Sequence, residues 1–213
     1  MADLGGGAMY LAFGLLAGLH VARATGQGQV VDAAMIDGVS HLMSAFQAFR
    51  QQGTWSDRRG NNIVDGGAPW YGTYACADGR FVAVGAMEPQ FYAALVRGLG
   101  LDPGVLPPRD DRANWPALRA LFTARFATRD RDAWVACMAG RDACLSTVLT
   151  IDEAWSHPQM LARGAHAPLG GLRHPSPAPR LSATPGSLRR PAPEPGADTA
   201  QVLQDWGLTE DTP

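Results

Sequence analysis

Apolar residues recur at helical spacing over residues 4–23, so the chain is expected to open with a long helix. Asp3 stands where an N-cap belongs, and Gly5, Gly6 and Gly7 permit close backbone approach in the first turn. The Thr25-Gly26-Gln27-Gly28 stretch closes this helix, and residues 29–31 form a short β run read as a strand. A second helix is expected over residues 33–51, where Met35, Val39, Leu42, Met43, Phe46 and Phe49 share the helical period. Residues 53–64 are polar and glycine-containing and read as a linker.

The period changes after Trp70. Tyr71, Tyr74 and Cys76 approach Asp78-Gly79, a hairpin turn signal, and Phe81, Val82, Val84 and Ala86 leave it. Helices are expected over residues 89–99, with Pro89 in the first turn, then over 115–126 and 130–139. Residues 145–149 read as a strand and 151–155 as a short helix. From 164 to 197 the chain is rich in Pro, Gly, Ser and Arg and is expected to hold little secondary structure, before a last amphipathic helix over 198–206. The pattern is a compact α+β module flanked by two arms.

Composition narrows the class. Of 213 residues, 46% are hydrophobic and 18% charged, a globular profile with enough apolar side chains for a real core. The net charge is −2 and all 18 basic residues are arginine, so no electrostatic footprint for nucleic acid is present. Cys76, Cys137 and Cys144 lack metal-ligand spacing and read as reduced thiols of a cytoplasmic protein. The most apolar stretch, residues 8–24, is broken by Gly14, Gly18 and His20 and falls short of the roughly 20 apolar residues of a membrane span. It reads as a buried helix. It and the helix over 33–51 are apolar around much of their surface, and one strand cannot supply the sheet such helices cover.

Six runs in order carry a resemblance: DLGGG from Asp3, GQGQVVDAAM over 26–35, DGGAPWY over 65–71, ADGR over 77–80, VGAMEPQFY over 84–92, and DAC ending at Cys144. Together they resemble the α-methylacyl-CoA racemase branch of the family III CoA-transferases, and the resemblance fades beyond about residue 163. It implies an α/β plus α+β fold: a Rossmann-like large domain built from the N-terminal half and the extreme C-terminus, with a small α+β domain inserted. On that plan residues 1–52 are a remnant of the large domain, 53–64 a linker, 65–156 the small domain, 157–197 an extended linker, and 198–213 a helix returning to the large domain. The match begins partway into the family, so the chain is expected to be an N-terminally truncated, larger C-terminal part. Most of the parallel sheet and most contacts to the CoA nucleotide would lie upstream of Met1. An interlocked homodimer of the full-length chain is also implied.

The reaction the resemblance implies inverts a 2-methyl stereocentre beside a thioester. The thioester acidifies its α-C–H, so one base removes that proton to leave an enolate and a second group returns a proton to the other face. Donors are needed at the developing enolate oxygen, and no cofactor is required beyond the CoA of the acyl-CoA substrate itself. Asp3 matches the family's catalytic aspartate, although Ala2 stands where the family has Gly. Read alone, Asp3 is a helix N-cap. Glu88 matches the carboxylate that supports a catalytic histidine; read alone, it is a first-turn acid answering a helix dipole. Met35, Ile63, Tyr71 and Met87 match positions that resemble an acyl-chain surface, where flexible methionines suit branched chains, and equally suit ordinary packing. The catalytic histidine has no counterpart among His20, His41, His157, His166 and His174. Two alternatives stay open: a CoA-transferase using the same aspartate as nucleophile, and a non-catalytic interaction module.

Overall fold

Gly5, Gly6 and Gly7 lie on the π-helical turns Ala2–Ala8, which run without a break into α1 (Met9–Thr25) in the computed structural model, whose described residues are 2–208. Helix α2 (Met35–Leu42) crosses these glycines. A Cβ on Gly38 would overlap the Gly6 carbonyl, and one on Gly6 would stand 2.7 Å from the Val39 side chain. Gly6 and Gly38 are therefore needed by the crossing itself. Asp3 consequently falls inside the first helical turn and is not its cap, because the helix already begins at Ala2.

The chain divides into two units, Met1–Thr147 and Val148–Pro213. In the first, the helix expected over 33–51 is two helices, α2 and α3 (Ser44–Gln51), separated at Met43. Gln47 Nε2 donates to the Ser40 carbonyl across the break, which gives that exposed acceptor a partner. The expected strand at 29–31 does not form. Lacking a neighbouring strand, this extended segment lays Val31 over Gly14 and Gly18 of α1 instead.

Strands β1 (Tyr71–Ala75), β2 (Phe81–Gly85) and β3 (Leu145–Thr147) form an antiparallel sheet with β2 in the centre. Tyr71 pairs with Gly85 and Ala75 with Phe81, so the Asp78-Gly79 turn sets the register as the sequence pattern indicates. Gly79 takes the left-handed φ of +73° that the turn requires, and Arg80 N–H donates to Asp78. Helices α4 (Pro89–Gly98), α5 (Trp115–Phe126) and α6 (Arg131–Met138) cover one face of the sheet. Tyr74, Val82 and Val84 point into this layer. Leu118, Phe122 and Phe126 follow at steps of four along α5 and are wholly buried. Trp134 closes the core, its indole N–H donating to the Phe126 carbonyl.

The second unit holds α7 (Ile151–Ser156), α8 (Pro158–Ala162), the hairpin β4–β5 (His166–Leu169 and Leu172–Pro175) and α9 (Thr199–Asp205). Thr150 and Glu153 form a reciprocal capping box on α7. The hairpin corrects the expectation of little secondary structure beyond residue 164. Gly170 and Gly171 both take positive φ, the backbone of a two-residue hairpin turn, and this local signal outweighs the loop-like composition around it.

The α1 region departs most from a solvated helix. Leu4, Phe13 and Leu16 are 74%, 76% and 68% exposed, and no residue of α1 is buried. The continuous helical stretch Ala2–Thr25 is long and apolar enough to cross a membrane by length and composition, as are the core helix of a soluble protein and a signal sequence. The buried state expected of this helix is not reached within the described residues, where Val31 and the α2 crossing cover part of it.

Candidate functional site

Trp70 precedes β1, Trp115 opens α5, and both are buried with their rings edge-on at 5.6 Å. Beside them lies an apolar cavity of about 350 Å³. Ile63 and Met87 line it, joined by Trp55, Val64 and Phe49 of α3. Polar groups reach it through Arg109, Asp110, Arg112 and Thr54. Two of the residues matched to an acyl-chain surface, Ile63 and Met87, thus share one cavity. Tyr71 does not line it. Its ring lies over Gly85, and it packs against the core from the start of β1. Met35 lies apart as well, at the start of α2 with its side chain against Gly7.

The loop that carries Ile63 is held by one carboxylate. Asp65 accepts from the backbone N–H of Gly60, Asn62 and Gly67 and from Asn62 Nδ2. Burial pulls its pKa up, but the bonds from the Asn62 side chain and from the N–H groups of Asn62, Gly67 and Asn61 prevail and hold it below the usual carboxylate value. Asn62, only 2% exposed, links back to the chain at Ser56 through both its amide oxygen and its amide nitrogen.

Glu88 occupies the N-cap position of α4, directly after Met87, with its carboxylate exposed and making no cap hydrogen bond. Its backbone places it beside the β2–β3 edge, where Gly85 N–H donates to the Cys144 carbonyl. Cys144 has a positive φ of 48°. Partial burial, then the charges of Asp142 and Glu88, push its thiol pKa up. A thiol raised in this way is a poor nucleophile at neutral pH. Asp3 is exposed on the π-helical turn, over the Gly6–Gly7 backbone buried by α2. π-Turns of this kind are frequent at functional positions. Neither Asp3 nor Glu88 is in the wall of the Ile63–Met87 cavity.

Of the histidines, His41 meets the Tyr10 hydroxyl at 2.6 Å and His174 meets the Leu169 carbonyl. Arg109 is a site residue that sequence reasoning did not single out. Its guanidinium stacks 5.1 Å from the Trp70 ring centre and 4.6 Å from that of Tyr92, and one terminal nitrogen, Nη1, is buried without a partner. No local motif announces it, since its role comes from rings contributed by β1's approach and by α4. Burial raises the Tyr92 pKa, and the opposing pull of the Arg109 charge does not cancel it; Asp110 adds a small upward push.

Comparison with known proteins places these features in context. The model of CoA-transferase family III matches residues 1–199. The chain is 41% identical to mouse alpha-methylacyl-CoA racemase and 38% identical to the human one, in each case over 99% of this chain and 56% of the relative. It is 31% identical to succinyl-CoA–D-citramalate CoA-transferase of Chloroflexus aurantiacus, over 96% of this chain and 53% of that protein. Among solved structures, a CAIB/BAIF family protein from Brucella suis superposes with a TM-score of 0.75 at 22% identity, covering 96% of this chain and 55% of that one. The chain therefore spans about half the length of the curated relatives it matches.

Proposed function

This chain belongs to CoA-transferase family III, and from that premise we propose that it carries part of a racemase that inverts the 2-methyl centre of 2-methylacyl-CoA thioesters. The observation that carries the reading is the identity of 38–41% with alpha-methylacyl-CoA racemases along 99% of the chain, against 31% with the citramalate CoA-transferase. The apolar cavity supports it, since Ile63 and Met87 line a space suited to a branched acyl chain and Glu88 follows Met87 immediately.

In this mechanism Asp3 is one proton carrier at the α-carbon. Its place on the first helical turn puts it near free backbone N–H groups, which can face a thioester oxygen as negative charge develops there. Glu88 orients and charges the opposite carrier, a histidine. That histidine has no counterpart among the 213 residues, so the reading expects these residues alone not to racemise.

The test is deuterium exchange into the α-position of a 2-methylacyl-CoA in D₂O. One sample is the 213-residue chain; a second fuses the preceding part of mouse racemase ahead of it. Exchange is expected in the fusion only, with no CoA passed to an acceptor acid. In the fusion, Asp3→Asn should lower exchange by about 10²–10⁴-fold, the usual contribution of a positioned acid or base. Transfer of CoA to the acid without exchange would overturn the reading in favour of a transferase using Asp3 as nucleophile.

A further inference from the structure

We propose that the recess walled by Arg58, Arg59, Arg112 and Arg119 is an anion site that takes a phosphomonoester or diphosphate group. The recess holds about 390 Å³ and no carboxylate contributes to its wall. Two of its guanidinium groups are fixed in place. Arg119 Nη2 donates to the carbonyls of Gly66, Gly67 and Ala68 at 2.6, 3.2 and 3.0 Å. Arg112 Nη2 donates to the Thr54 carbonyl at 2.8 Å, and its guanidinium stacks 5.4 Å from the Trp115 ring centre. Each guanidinium has five N–H donors, so both keep donors to spare.

The other two are uncommitted. Arg58 and Arg59 are exposed, and among the described residues their side chains have no hydrogen-bond or ion-pair partner. They ride on the loop that Asp65 and Asn62 hold rigid, so their backbone positions are set before any ligand arrives. Neighbouring carboxylates are already engaged. Asp57 pairs with Arg50 at 3.3 Å, Asp65 accepts the loop amides, and Asp111 accepts from Ala113 N–H. Four like charges around one recess repel one another until an anion enters. A multiply charged anion offsets that repulsion more than a monocarboxylate does, and the guanidinium fork matches phosphate geometry.

The proposal does not depend on the racemase reading, since Asp3, Glu88, Ile63 and Met87 are outside the recess. A phosphoryl group of this kind has two sources: CoA, which carries both a phosphomonoester and a diphosphate, and a separate phosphorylated metabolite. Calorimetric titration of the whole chain with inorganic pyrophosphate, at fixed ionic strength, is expected to show saturable one-site binding. The exposed double variant R58Q/R59Q should keep its circular dichroism spectrum and bind about tenfold more weakly or worse. Displacement of pyrophosphate by CoA assigns the site to CoA, and failure to displace it assigns a separate ligand; both outcomes support an anion site. Absent saturation, unchanged affinity in R58Q/R59Q, or equal competition by acetate would overturn it. Asp3→Asn should leave pyrophosphate binding unaltered, which separates this result from the fate of the racemase reading.

Discussion

Asp65 shows how much one side chain can organise. Its two oxygens accept three backbone N–H groups and one amide, and these fix the loop between α3 and β1 that supplies both Ile63 and the two free arginines. Because its pKa is lowered on folding, the stability it provides is fully present above its unfolded value, near 3.8, and is lost as pH falls through the folded value. Replacing it by Ala leaves the Gly60, Asn62 and Gly67 donors without their acceptor. Asp65→Ala is expected to cost about 1–3 kcal/mol at neutral pH in urea unfolding and to flatten part of the acid limb of stability. Asp78 and Asp198, also lowered, retain the remainder. An acid limb identical to that of the parent chain would refute the assignment.

Between elements, the decisive contact is the crossing of the π-helical turn by α2. Gly38 meets the Gly6 backbone, so even one methyl group forces the helices apart. Ala improves helix propensity over Gly by about 1 kcal/mol, but overpacking against backbone costs about 1–3 kcal/mol and separates Asp3 from the support of α2. Gly38→Ala should therefore destabilise the chain in denaturant unfolding, against the sign propensity alone gives. The helices α2 and α3 part at Met43, and beyond the break Phe46 lies edge-on to Trp55, 4.9 Å between ring centres. The break is invisible in the periodicity, which runs evenly through Met43.

For the molecule as a whole, the apolar surface of α1 is the feature with the largest consequence. Phe13, Leu16 and Leu4 are mostly exposed on one continuous helix, and exposed apolar surface of this kind marks interaction sites. The 213-residue chain is expected to enhance the fluorescence of an apolar dye and to associate with rising concentration in light scattering. Phe13→Glu with Leu16→Glu should reduce both signals. A dye-silent, monodisperse monomer would contradict this.

The local devices of this chain were written in its residue order. The Asp78-Gly79 turn, Pro89 at the start of α4, the period of Leu118, Phe122 and Phe126, and the runs that mark CoA-transferase family III each depend on neighbours a few positions apart, and the expected hairpin and helices formed at those places. Tertiary structure alone decided the rest. It denied residues 29–31 a strand by giving them no partner, gave Ile63 and Met87 a common cavity with Phe49, Trp55 and Arg109, and gathered Arg58 and Arg59 with Arg112 and Arg119. Those outcomes hang on packing between residues far apart in the chain, and a cavity or a charge cluster exists only once the chain has closed on itself.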